Sequence, residues 1–121
     1  MPETEVVLFA EEDGSCPLLE WMDTLSPKAQ DKCIVKIERL CEMGYELRRP
    51  EADFLRDKIY ELRAALRGIQ YRMLYFFHTS RGVISHGFTK TENRVPSREI
   101  DLTVERKKKF ESEPLKHTFR G

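Results

Sequence analysis

Between Ile59 and Phe88 the chain carries three successive strand-like stretches, Ile59 to about Ala65, Gln70 to about His78 and Val83 to Phe88. The links between them are short: Gly68 with its neighbours, then Thr79-Ser80-Arg81-Gly82. Links of this length join antiparallel neighbours, because a parallel crossover needs a dozen or more residues. A small antiparallel-rich sheet is therefore built into this part of the chain.

Upstream the period is helical. Val6-Val7-Leu8-Phe9, ended by Glu11-Glu12-Asp13-Gly14, reads as a first strand and a turn, and Pro17 opens a brief helix that stops near Leu25. Ser26-Pro27 is an N-cap followed by proline at the first helical position, where a missing N–H costs nothing. The helix it starts runs to about Met43, with Ala29, Cys33, Ile37, Leu40 and Cys41 on one face and Gly44 as its stop. Glu46 to Pro50 is a polar connection, and Ser97 caps a last helix reaching about Phe110. The predicted order is β-α-α-β-β-β-α, an α+β domain with the helices packed on one face of the sheet. With 121 residues two independent cores do not fit. The reading is one domain over residues 1–111 and a C-terminal tail over 112–121.

The formal net charge is zero, which by itself argues against a polyanion binder. The charges are not evenly spread. Residues 1–57 carry 7 basic and 14 acidic side chains, and residues 58–121 carry 14 basic and 7 acidic. An acidic helical half and a basic sheet-and-helix half cancel.

No apolar run reaches the roughly 18 residues of a membrane span, and the start Met1-Pro2-Glu3-Thr4-Glu5 lacks a secretory signal's basic residues. The expectation is a cytoplasmic protein that does not engage a membrane. Cys33 and Cys41 lie about 12 Å apart along one helix, too far for a disulfide, and both read as small apolar residues. His78, His86 and His117 are dispersed, without metal-ligand spacing, and neither a phosphate loop nor a Gly-x-Ser-x-Gly elbow is present. No cofactor is expected.

Strand alternation puts Glu61 and Arg63 on one face of their strand and Gln70, Arg72, Leu74 and Phe76 on one face of the next. Arg72 is a charge inside an apolar strand and must meet a carboxylate or a ligand. Two readings stand: a salt bridge from Arg72 or Arg63 to Glu61, or a sheet surface on which Arg63 and Arg72 grip a phosphodiester. The third strand brings His86 and Lys90 to the end of the same sheet. Two arginines, a lysine and a histidine would supply what metal-free RNA cleavage needs. The basic run Arg106-Lys107-Lys108-Lys109 either adds phosphate contacts or is a solvated helix end.

The ordered set Tyr60-Glu61-Leu62-Arg63, Tyr71-Arg72-Met73-Leu74-Tyr75-Phe76, His86-Gly87-Phe88-Thr89-Lys90, then Pro96, Ile100 and Arg106, resembles the RelE/ParE toxin superfamily, and within it the phage-derived HigB-like branch. The resemblance runs from about Val6 to Phe110. It implies the toxin of a type II toxin–antitoxin system: a metal-independent endoribonuclease, or mRNA interferase, that cuts mRNA at the ribosome and inhibits translation. Arg63 and Arg72 would hold the phosphate, Lys90 or His86 would move protons, and Arg67, Arg106 and Lys107 would add RNA contacts. It also implies a cognate helix-turn-helix antitoxin as partner, with a homodimer or a toxin–antitoxin hetero-oligomer as the assembly. A ParE-like gyrase-binding inhibitor and a non-toxic phage-derived interaction protein are the alternatives on the same fold.

Overall fold

The computed structural model describes residues 3–121. Its elements are β1 (Val6–Leu8), α1 (Pro17–Met22), α2 (Pro27–Met43), β2 (Ala52–Arg56), β3 (Ile59–Leu66), β4 (Ile69–His78), β5 (Arg81–Lys90) and α3 (Ser97–Ser112), with a 3-10 turn at Gly44–Glu46. The strands form one sheet in the order β1-β5-β4-β3-β2, with β1 parallel to β5 and every other pair antiparallel. The α+β class and the expected succession hold, with one strand more. Sequence patterning misses β2 because its hairpin to β3 turns at Asp57-Lys58, both at positive φ, with neither glycine nor asparagine to signal the turn. The β3–β4 link is the conventional version, Arg67-Gly68 between the paired Leu66 and Ile69.

The helices do not share one face. α1 and α2 pack with Leu62, Ala64, Tyr71, Met73, Tyr75 and Ile84, whereas Ile100 and Phe110 of α3 pack with Ile59, Leu74, Phe76 and Val83. These two sets alternate along β3 and β4, so α3 covers the opposite side of the sheet. The six buried positions from Tyr71 to Phe76 are the mark of a strand covered on both faces. On β5 the alternation slips once: Leu74 pairs with His86 but Tyr75 with Ile84, leaving Ser85 as an extra residue. This bulge sends Val83 to the α3 side and Ile84 to the α1/α2 side, so both are buried.

Ser26 caps α2 by accepting a hydrogen bond from the Ala29 amide at 3.2 Å, and Ala29, Cys33 and Leu40 form its buried stripe. α3 instead follows Pro96, and Ser97 is its first helical residue rather than its cap. α1 lies against β5, where a Cβ on Gly87 would come within 2.2 Å of the Trp21 ring. Gly87→Ala should therefore force the indole out of place and cost about 1–3 kcal/mol, as overpacking does. Because Trp21 is the single tryptophan of the chain, intrinsic fluorescence during urea unfolding reads both the displacement and the loss.

The last residues are docked rather than a free tail. Phe9 forms a bridge with Thr118, the Phe119 amide donates to the Leu8 carbonyl, and the buried His117 ring stacks on Phe9 while its Nδ1 contacts the Ala10 carbonyl at 2.8 Å. This segment supplies partners for the chain just after the short edge strand β1, which hydrophobic periodicity in eight residues cannot reveal. Cys16, Cys33 and Cys41 are free, and burial raises the Cys33 thiol to about 11, so it packs as an apolar group. No helix among the described residues is long and apolar enough to cross a membrane.

Candidate active site

Arg63 on β3 and Arg72 on β4 are direct cross-strand partners on the α3 side of the sheet. Two guanidinium groups placed opposite one another repel. The group that relieves them is Glu61, two residues before Arg63 and therefore on the same face. Its Oε1 lies 2.9 Å from Arg72 Nε and its Oε2 3.2 Å from Arg63 Nη2. Glu61 is 3% exposed and Arg72 6%, so this is a buried two-to-one cluster with one positive charge in excess. The salt bridge expected from residue types is thus present, and one carboxylate serves both arginines.

The cluster lines a shallow groove of about 220 Å³, together with Arg49, Asp53, Leu55, Lys90, Asn93, Arg94 and Val95. Five cations and two carboxylates line it. Asp53 is already engaged: the Arg49 guanidinium at 2.7 Å holds its carboxyl below the usual carboxylate value. Arg72 donates from Nη1 to the Tyr71 carbonyl at 3.0 Å, which fixes the guanidinium plane. Burial pulls its pKa down from the ordinary arginine value, and Glu61 opposes the shift. Arg72 Nε and Glu61 Oε1 face each other at 2.9 Å as an ion pair without hydrogen-bond alignment, and Arg63 Nε is buried without a hydrogen-bond partner. A cationic groove with an unpartnered Arg63 Nε donor is suited to an anion with several acceptor oxygens, as a phosphodiester has.

Among the residues singled out from the sequence, the fold brings Arg63, Arg72 and Lys90 into this groove. Lys90 reaches it from the end of β5, with Nζ donating to the Asn93 carbonyl at 3.1 Å. His86 is not there. It lies four residues back along β5, about 13 Å at strand spacing, and its ring is buried under α3. Its Nε2 contacts Glu99 Oε1 at 2.9 Å and its Nδ1 contacts Ser85 Oγ at 2.8 Å. The Ser85–His86–Glu99 succession has the composition of a hydrolase triad, but Ser85 is fully buried and no substrate can reach its hydroxyl. Its role is to tie α3 to β5.

Burial is the main influence on His86, lowering its pKa; Glu99 opposes this, and the nearby Arg106 reinforces it. The folded state therefore binds the imidazole proton less readily than the unfolded chain. Stability should fall as pH drops below the unfolded value of about 6.5 and level off once the folded group is protonated. Denaturant midpoints of the wild type and of His86→Gln across this range test it, since the substitution should flatten the slope.

The other basic residues named from the sequence lie elsewhere. Arg67 is exposed at the tip of the β3–β4 hairpin. Arg106 is mostly buried, its guanidinium over the Phe9 ring at 5.5 Å and 3.7 Å from Glu11, so it is a packing residue rather than an open RNA contact. Lys107 is paired with Glu111 at 2.8 Å. Conversely, Arg49 and Arg94 line the groove without having been singled out. Both come from irregular segments, where no hydrophobic period fixes which way a side chain faces.

The family model described as phage derived protein Gp49-like (DUF891) matches residues 20–108. The chain belongs to this Gp49-like family. The family is RelE-like and of toxin type. The matched span holds α2, strands β2 to β5 and most of α3, and with them every residue lining the arginine groove. β1 and the docked C-terminal segment lie outside it. No curated protein matches the chain significantly.

Proposed function

We propose that this Gp49-like protein is the toxin of a HigB-like toxin–antitoxin pair and a metal-independent endoribonuclease acting on mRNA. The observation that carries the reading is the convergence of Arg63, Arg72 and Lys90 on one groove in which cations outnumber carboxylates and Arg63 Nε is buried without a partner. In the proposed reaction the ribose 2′-oxygen gives its proton to a solvent water as it attacks the adjacent phosphorus in line. The bond from phosphorus to the 5′-oxygen then breaks, leaving a 2′,3′-cyclic phosphate, and the departing oxygen takes up a proton. Arg63 and Arg72 stabilise the charge that grows on the phosphoryl oxygens. Lys90 delivers the proton to the leaving oxygen, because arginine does not release one in a protein and His86 is buried away from the groove.

Lys90→Ala is the informative variant, since Lys90 is half-buried and makes one loop contact. It should leave the fold intact and slow mRNA cleavage in a translating extract by about 10²-fold or more. Message that stays whole at high concentrations of wild-type protein would overturn the ribonuclease reading. One observation favours a second reading. Glu61 already pairs with both arginines and offsets part of their charge without RNA, as it would in a binding protein that keeps the fold without catalysis. A gyrase supercoiling assay identifies the ParE-like form of that alternative: inhibition with RNA intact. For either form, a helix-turn-helix antitoxin with an acidic segment is the proposed partner of the cationic groove.

A further inference from the structure

On the other side of the sheet a second groove, about 410 Å³, opens between α2 and the end of β3, lined by Lys32, Val35, Lys36, Pro50, Arg63 and Gln70 among others. Three of its lining residues are cations and none is a carboxylate. Lys36 touches Glu51 at 3.3 Å from the side, while Lys32 is exposed. The two lysines are one turn apart on α2, about 6 Å along the axis, and so face the groove together. Val35, half exposed, and Pro50 give it an apolar wall.

The two grooves meet. Arg63 lines both, and Gln70, which lines the second, accepts a hydrogen bond from Arg72 of the first at 3.4 Å. β2 pairs with β3 as far as Ala52–Leu62, the Arg63 amide still donates to the Glu51 carbonyl at 2.8 Å, and from Ala64 onward no strand among the described residues pairs with the outer edge of β3. Arg63 stands at this edge with its Nε buried and without a hydrogen-bond partner. A polynucleotide gripped at one phosphate must carry its neighbouring phosphates somewhere, and this edge is a cationic way out of the first groove.

We infer that single-stranded RNA held in the arginine groove continues over the β3 edge into the second groove, where Lys32 and Lys36 hold further phosphates and Val35 and Pro50 meet the sugar–base face. The inference rests on the ribonuclease reading for its first contact. It assigns a substrate track to α2, in the acidic half of the sequence, where charge counting finds no reason to look.

The test is the salt dependence of binding of a short 2′-O-methyl oligoribonucleotide, which cannot be cleaved because its attacking oxygen is blocked, to the full chain by fluorescence anisotropy. For single strands each phosphate contact contributes about 0.7 to the slope of log K against log salt. Lys32→Ala should lower the slope by about 0.7 and the double variant with Lys36→Ala by about 1.4. Unchanged slopes in correctly folded variants, or a wild type that binds no oligonucleotide, would overturn the track. So would polyglutamate that displaces the oligonucleotide at equal charge concentration, since the groove would then be a site for an acidic protein segment. Cleavage retained with unchanged slopes sinks this inference alone. The expected slopes without cleavage sink only the ribonuclease reading.

Discussion

Glu61→Gln is expected to destabilise the fold by about 3–5 kcal/mol, the cost of breaking a buried ion pair by removing one partner. Glutamine keeps the shape of the side chain, so the loss is of charge and not of volume. Arg63 and Arg72 would then face one another across β3 and β4 with no carboxylate between them. Arg63 is 30% exposed in its side chain and has Asp53 at 3.5 Å to turn to, but Arg72, at 7%, has no comparable exit. The expected melting temperature is lower by on the order of 10–20 °C. Because the penalty is an uncompensated charge, removing that charge should relieve it: Glu61→Leu combined with Arg72→Met should regain most of the stability that Glu61→Leu alone loses. A single variant as stable as the wild type in urea would show that water reaches the cluster and that the ion pairs are dispensable.

The second large effect is expected at Phe110. Its ring is fully buried at the end of α3, against Phe76 at 5.9 Å and His78 at 5.3 Å, with the Arg81 guanidinium over it at 5.8 Å. α3 buries just Ile100, Thr103 and Phe110 completely enough to count as core, so one ring carries much of its attachment. Phe110→Ala should cost about 3–5 kcal/mol from lost burial and the cavity left behind. Hydrogen exchange adds a positional readout. The amides of α3 should lose protection before those of β4, since detaching the helix uncovers one face of the sheet without unpairing its strands. Equal loss of protection in α3 and β4 would mean that α3 and the sheet unfold as one unit.

The arginine groove shows how far a sequence reaches toward a site. Alternation along two strands placed Glu61, Arg63 and Arg72 on their correct faces, because side-chain direction in a strand has a period of two that survives whatever packs against it. The same rule gives no access to Arg49 and Arg94, which sit in irregular backbone. It also leaves the chemistry of His86 open. Four residues from Lys90, the histidine looks like a companion in catalysis, and its removal from the groove follows from α3 and Glu99 closing over it, a contact between residues 13 apart in the chain.

For the fold, local chemistry decided a good deal. The Ser26-Pro27 start and Gly44 stop of α2, the short hairpins of β3 to β5 and the switch from helical to strand period are properties of neighbouring residues, and they needed no partner to be read. Which side of the sheet α3 takes is another matter, because the strands it joins are apolar on both faces and either side would bury it. The docking of His117 beside Phe9 is likewise set by contact between distant segments, while β2 and the Ser85 bulge arise in hairpins between neighbouring strands whose register no turn glycine or periodicity announces. The residues of this protein fixed its elements and the faces of its charged pairs; the tertiary structure decided which of those faces became a groove, since concavity and burial exist only between elements.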